Sequence, residues 1–419
     1  MNTANPMPAV LLIATFDTKA EEALYLRRKM ESLGCRVLSM DTGILLESGT
    51  AADIDRHRVA EAGGSSVAEM VASGDKGRCI DAMRKGACAL SRKLFDAGAF
   101  QGIVAIGGAQ GTDIATAAMR ELPFGVPKFM VSTVASGRAT FGPFVGTKDV
   151  IMMHSVADIQ GVNFMTRRVF DNAAAAVCGM VLNLQGHDPA SSPRKSPASL
   201  PAVALSMLGT VTQGAMRAKR LLLERGYDAI AFHQNGTGGI AMEEMIREGM
   251  FKGVVDLNLH ELGDSVAKGL HASIADFRLT SAGALGIPQV VVPGSINYAV
   301  MGPVGTLSPE ILRRKYIVHN SQLTLVRLSR EELERTAIVM AERLNMAKGP
   351  THVFIPLGGF SYPDHPGRGH WDPEENGLFI RTLKSRLLAS IPYDEIDLNI
   401  NDDAFIDTVV DELVRYMNL

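Results

Sequence analysis

Short apolar runs recur along the 419-residue chain, each closing on a polar or glycine-rich turn that opens a helical stretch. The first is Ala9-Val10-Leu11-Leu12-Ile13-Ala14. A run this short and this apolar suits a strand buried on both faces, as in parallel sheets. The turn Thr15-Phe16-Asp17-Thr18-Lys19 follows, then a helix over 20–33, a stop at Gly34 and a strand over 35–40. The phrase returns as a helix over 76–97, a strand over 102–106, the turn Gly107-Gly108-Ala109-Gln110-Gly111-Thr112-Asp113 and a helix from Ile114. Strands over 128–131 and 150–154 and an Ala-rich helix over 163–184 close the first half. This alternation predicts an α/β chain built from two Rossmann-like, doubly wound domains with mostly parallel sheets.

Residues 187–201 are Pro/Ser-rich and polar, so the domains are read as 1–187 and 202–419, with a linker over 188–201 that could act as a hinge. The second half restarts the same phrase: Val10 to Gly34 overlays Ala202 to Gly226 without a gap. Further strands are expected near 253–257, 289–292, 323–328 and 352–356. Helices are expected near 239–248, 330–344, 376–390 and 403–417.

A net charge of -3 offers no electrostatic footprint for nucleic acid. No apolar run reaches the ~18 residues of a membrane span, and the N-terminus carries no signal-peptide pattern. The four cysteines form no CxxC. A cytoplasmic protein with reduced thiols is expected, without nucleic-acid or membrane partners.

Open parallel sheets bind ligands beyond the carboxyl ends of their strands, so the turns there are the candidate sites. In TFDTK, Lys19 is placed to meet a phosphate or carboxylate, Asp17 to hold a ribose or metal-bound water, and Thr15 and Thr18 to offer hydroxyls. A plain helix cap is the alternative. In GGAQGTD, Gly107, Gly108, Gly111 and Thr112 open a helix, where free backbone amides attract anions. The turn is neither GxGxxG nor a P-loop, and a tight packing turn also fits it. HQNGTGG repeats the arrangement in the second half with His233, Gly236, Thr237, Gly238 and Gly239, ahead of Glu243. VPGSIN adds Gly294. His260, Glu261, Asp264 and His271 cluster without a metal-ligand spacing, so no protein-ligated metal is expected. The Gly/Pro-rich stretch 364–372 has the composition of a lid.

Several of these stretches resemble one known family. They are Thr15 to Glu22 (TFDTKAEE), Ser132 to Gly137 (STVASG), His154 to Ile159 (HSVADI), Gly236-Thr237-Gly238-Gly239 with Ala241-Met242-Glu243, and Gly286 to Val290 (GIPQV). Together they resemble the ATP-binding domain family of the tomato mosaic virus resistance protein, an uncharacterised family in bacteria, over about 8–390. The resemblance implies two Rossmann-like halves, a homodimer and ATP binding, with Ser136 and Gly137 at the nucleotide. It supplies no reaction. The plant protein's further C-terminal barrel has no counterpart in this chain. The chain departs from the family pattern at Gln234-Asn235, at 256–261 and at Ser295-Ile296-Asn297, all in the second half.

The expected function is nucleotide binding coupled to work on a small anionic or phosphorylated metabolite in a cleft between the halves. ATP, with Mg²⁺, would meet Lys19 and the GGAQGT amides, while Asp17 or Glu243 positions metal or acts as base. A nucleotide-gated binding module and an ATP-independent hydrolase or lyase of a keto acid remain open. In the latter, His233, Asp17 or Glu261 does the acid–base work.

Overall fold

The computed structural model describes residues 7–44, 49–136, 144–185, 200–272 and 277–419. The chain divides into two compact units, Met1–Lys195 and Ser196–Leu419.

In the N-terminal unit the strands are β1 (Ala9–Ala14), β2 (Arg36–Asp41), β3 (Gly102–Gly107), β4 (Lys128–Ser132) and β5 (Ile151–His154). They form one parallel sheet in the order β2-β1-β3-β4-β5. The helices are α1 (Phe16–Ser32), α2 (Arg56–Ala62), α3 (Val67–Ser73), α4 (Lys76–Asp96), α5 (Ala109–Arg120) and α6 (Phe164–Gln185). Alternation along β1 splits its side chains between two cores. Val10 and Leu12 pack with Leu26 of α1 and Phe170 of α6, while Leu11 and Ile13 pack with Met83 of α4 and Ile114 of α5. The helix after β1 and the helix after β3 therefore lie on opposite faces. β1 and β3 are paired neighbours, so the chain leaves them to opposite faces at their carboxyl ends, the usual ligand position in such a sheet.

The C-terminal unit repeats this plan. Strands β6 (Ala202–Met207), β7 (Asp228–His233), β8 (Gly253–Asn258), β9 (Gln289–Gly294), β13 (Thr351–Pro356) and β14 (Tyr393–Ile396) are ordered β14-β13-β9-β8-β6-β7. The first strand again sits between the second and third. Helices α7 (Thr212–Glu224) and α13 (Asp403–Met417) cover one face. Helices α8 (Gly238–Arg247), α9 (His260–Ala267), α10 (Ser281–Leu285), α11 (Arg330–Leu344) and α12 (Pro373–Arg386) belong to the other side.

Three features differ from the sequence expectation. The helix after β1 begins at Phe16 rather than Ala20, so Asp17, Thr18 and Lys19 lie inside it. The helix after β3 begins at Ala109 rather than Ile114, so Gly111 and Thr112 lie inside it. The run over 323–328 does not join the parallel sheet. Its core, β12 (Thr324–Arg327), is the middle of a three-stranded antiparallel sheet with β10 (Tyr298–Met301) and β11 (Tyr316–Val318). An apolar run buried on both faces reads the same in either setting, so periodicity alone does not separate them. No helix among the described residues is long and apolar enough to cross a membrane.

Candidate functional site

In the N-terminal unit the first turn is held together from within. The Phe16 amide and the Gly43 amide both donate to Asp41 Oδ1, at 2.9 and 2.7 Å. Asp41 thus supplies the negative charge at the start of α1, and burial, with Asp17 nearby, raises its carboxyl above the usual range. Asp17 accepts from the Ile44 amide, and Lys19 Nζ donates to the Ile159 carbonyl at 2.9 Å. The Thr15 and Thr18 hydroxyls lie 3.2 Å apart.

The GGAQGTD turn is less occupied. A Cβ at Gly107 would meet Gly111 Cα at 2.9 Å, so Gly107 is needed for packing. At Gly108 and Gly111 the nearest atoms would be 3.7 and 3.6 Å away, which is ordinary contact. Gly108 is the N-cap of α5 and gives it no side-chain cap. Thr112 pairs with Ser132, their hydroxyl oxygens 2.7 Å apart. Ser136 Oγ lies 3.2 Å from His154 Nε2. Gly137 lies outside the described residues.

The HQNGTGG turn in the C-terminal unit already holds an anion, and it is the chain's own. Glu261 Oε1 accepts from the amides of Gly236 and Gly239 at 2.8 and 3.1 Å. Gly236 has φ +100°, where a side chain would strain the backbone. Cβ atoms at Gly238 and Gly239 would come within 1.8 Å of His233 O and Glu261 Oε2 respectively. A Cβ at Gly294 would meet Leu257 O at 2.1 Å. Thr237 is exposed.

Behind this turn lies a buried ion cluster. Arg278, 1% exposed, grips Asp256 with two bonds of 2.6 Å and approaches Glu243 at 3.3 Å and Glu261 at 3.6 Å. Glu243 also accepts from the amides of Leu279 and Ser281, capping α10. Glu243 and Glu261, both named from the sequence, are therefore brought together around Arg278. Burial raises the Glu261 carboxyl above its ordinary range, against the pull of Arg278.

The cavity with most chemistry is next to this cluster. It has a volume of about 830 Å³ and opens at the carboxyl ends of β6 and β7. Gly209 and Thr210 follow β6, and His233 ends β7. The antiparallel sheet gives an apolar wall from Val300, Ile317, Leu323 and Leu325. His271 and His319 add imidazoles, and Arg368 adds a guanidinium stacked 4.7 Å over the Tyr362 ring. Among the described residues no carboxylate lines this pocket or pairs with Arg368. A second cavity, of about 840 Å³, runs along α4 and α5 of the N-terminal unit, away from the strand ends. No group of three or more His, Cys, Asp or Glu among the described residues is arranged to hold a metal ion.

A stack of rings backs the pocket. His260 packs 4.8 Å from Tyr298 and edge-on to His271 at 5.4 Å, and Tyr298 packs 5.5 Å from His370. Burial pushes His260 down to about 3 and His370 down to about 4, and it also lowers His271, so these rings are neutral near pH 7. An unfolded histidine titrates near ~6.5. As pH falls from ~6.5 towards 4, the unfolded chain takes up protons that the folded one refuses, and stability is lost. Asp264, pushed up to about 6 by burial, works against this over part of the window. Asp41, Glu261 and Asp364, also raised by burial, pull the same way as Asp264, so the histidine contribution is read from a variant. Measured against the native protein, the urea midpoint of His370→Gln should gain as pH falls from 7 to 5; a difference between the two that does not change with pH would contradict this assignment.

The stretch 364–372 borders the site, as a lid would, but its ends are pinned. Buried Asp364 accepts from the Phe360 amide, Asn297 and Asn376, and Arg327 donates to the carbonyls of His370 and Asp372. Only 365–369 of this stretch is continuously exposed, and it carries Arg368. Thr210, His271, Tyr298, His319 and Arg368 did not emerge as site residues from the sequence. One signal did exist: the ungapped overlay of the two halves sets Thr18 on Thr210.

The two α/β units share the order of their first five strands, and the C-terminal one holds a pocket of ligand size at the carboxyl ends of β6 and β7. The chain belongs to the uncharacterised protein family UPF0261: its N-terminal domain model matches residues 8–185 and its C-terminal domain model residues 200–417. A UPF0261 protein of Clostridium tetani is 37% identical over 97% of this chain and 98% of its own length. The tomato (Solanum lycopersicum) ToMV resistance protein Tm-1(GCR237) is 31% identical over 97% of this chain, which spans 56% of the tomato protein. Among solved structures, a putative UDP-N-acetylglucosamine 2-epimerase from Listeria monocytogenes aligns at 12% identity over 68% of this chain and 79% of its own, with a TM-score of 0.22.

Proposed function

We propose that this protein is an enzyme acting on a small anionic metabolite held in the histidine-lined pocket of the C-terminal unit. The observation that carries the reading is the lining itself. Arg368 has no carboxylate partner among the described residues, three imidazoles surround the space, and one wall is apolar. Arg368 would bind the anion, and His233 or His271 would carry the proton. The His271 ring, lowered by burial, suits a general base.

A second reading concerns the N-terminal unit. The start of α5 after Gly107-Gly108 has no side-chain cap, which favours a nucleotide phosphate there. ATP, with Mg²⁺, is the ligand proposed for it. A homodimer and a cytoplasmic location belong to the same proposal. Light scattering at twice the chain mass would support the dimer.

A thermal-shift screen of the full chain against small carboxylates, phosphorylated metabolites and ATP with Mg²⁺ tests both readings. A ligand at a hundredfold excess over its Kd adds about 2.7 kcal/mol, roughly 5–10 °C for a unit of this size. Arg368→Ala should weaken the carboxylate or phosphate ligand at least tenfold without lowering the melting temperature of the free protein. Unchanged affinity in that variant, or no ligand in the whole screen, would overturn the pocket reading.

A further inference from the structure

A third cavity, of about 190 Å³, adjoins the histidine-lined pocket of the C-terminal unit, and Tyr362 and Arg368 line both. Its other walls are Gln213 of α7, His365, and the turn ahead of α13 with Asn399, Asn401 and Asp402. Hydrogen bonds to the main chain hold these walls in place. Asn401 Nδ2 and the Tyr362 amide both donate to the Thr210 carbonyl, at 3.2 and 2.8 Å, and Asn401 Oδ1 accepts from the Gly214 amide. Asn399 Nδ2 donates to the Gly358 carbonyl at 3.0 Å. The two asparagines are thus committed to the fold. The two charged side chains are not.

Asp402 is the N-cap residue of α13, yet its side chain does not cap that helix. Its Oδ2 accepts from the Asn399 amide at 2.7 Å, which fixes the carboxylate at the cavity wall. Among the described residues no cation pairs with it. Arg368 is the converse case. Its guanidinium is held 4.7 Å over the Tyr362 ring and has no carboxylate partner among the described residues. An anion and a cation therefore line one small cavity, each held by a neutral neighbour, without pairing with each other. Opposite charges left unpaired on the walls of one cleft are complementary to a ligand that carries both signs.

We infer that the ligand is a zwitterion of the α-amino acid type, with its carboxylate on Arg368, its ammonium on Asp402 and an apolar side chain against Ile317, Leu323 and Leu325. The inference rests on the pocket reading above and adds the ligand's second charge. Arg368 belongs to both cavities, so a carboxylate seated on it is within reach of the Asp402 carboxylate and of the apolar wall. Chemistry sets the order of the charges: a guanidinium only donates and an ionised carboxylate only accepts. A simple carboxylate ligand would leave Asp402 unpaired beside it, and a simple amine would face Arg368.

Isothermal titration calorimetry of the full chain with L-leucine and L-phenylalanine tests the inference. Each is compared with its counterpart lacking the ammonium (isocaproate, hydrocinnamate) and its counterpart lacking the carboxylate (isoamylamine, phenethylamine). At least one amino acid should bind, at least about fivefold more tightly than either of its counterparts. In Asp402→Asn, which keeps an acceptor for the Asn399 amide, the advantage over the carboxylate counterpart should vanish, while that counterpart binds at least as tightly as before. In Arg368→Ala the advantage over the amine counterpart should vanish. A carboxylate counterpart that equals its amino acid in the native protein, or an advantage that survives Asp402→Asn, overturns the inference; if that binding is lost in Arg368→Ala, the pocket reading stands. If neither amino acid binds, the inference falls, and the pocket reading is then decided by the wider metabolite screen.

Discussion

Arg278→Met should destabilise the C-terminal unit by about 3–5 kcal/mol, because it strips the cation from a buried cluster and leaves its carboxylates facing one another. Asp256, Glu243 and Glu261 are all within 4 Å of the guanidinium, and all are at most 2% exposed. Replacing a buried ion cluster whole with apolar groups can be neutral; removing one partner is not. For a unit of this size the loss corresponds to roughly 6–20 °C in melting temperature. Arg217→Met is the comparison. Arg217 pairs with Asp407 in a similar two-bond geometry, but Asp407 is 39% exposed, and water replaces the partner. That change should leave the melting temperature almost where it was. Differential scanning calorimetry of the two variants gives the answer, and equal melting temperatures would contradict it.

Gly238→Ala should be the next most damaging change, at about 1–3 kcal/mol or more. The added Cβ would lie 1.8 Å from His233 O and 2.6 Å from His233 C, backbone atoms that move only if the turn is rebuilt. The rebuilt turn would also displace His233 from the pocket, so ligand affinity should fall along with stability. Gly108→Ala in the N-terminal unit meets nothing closer than 3.7 Å and should cost under about 1 kcal/mol, the preference of an N-cap for glycine over alanine. Urea unfolding separates the two. A Gly238→Ala midpoint equal to that of Gly108→Ala would show that the turn gives way more easily than its contacts indicate.

These contrasts show where the sequence was legible. Burial on both faces makes parallel strands continuously apolar, so β1, β3, β6, β8 and β9 stood out, and the amphipathic helices α11 and α13 lie where their apolar stripes placed them, α13 without a side-chain cap from Asp402. The turns after the strands were equally visible, but their glycines had two readings. Gly236, Gly238 and Gly239 admit close approach, and what approaches is Glu261 and the His233 backbone. Local sequence does not reveal that a carboxylate about 25 positions away takes the amides. Asp41 does the same for α1. The pocket itself draws on six separated segments, from Leu208 to Gly369, and its apolar wall belongs to an antiparallel sheet whose strands carry no signal distinguishing them from the parallel ones. Thr210 was missed as well, although the overlay of the two halves sets it on Thr18.

The central claim is that the ligand sits among His233, His271 and His319. Side-chain ¹⁵N resonances of the histidines report on it directly, with single His→Gln variants providing the assignments. His352, at the start of β13 between Asp394 and Glu412, is absent from the pocket lining and provides an internal reference. Titrating in a small carboxylate or phosphate that stabilises the protein should shift His233, His271 and His319 in a saturable way and leave His352 in place. A ligand that stabilises the protein while all three pocket imidazoles stay unmoved would contradict the claim.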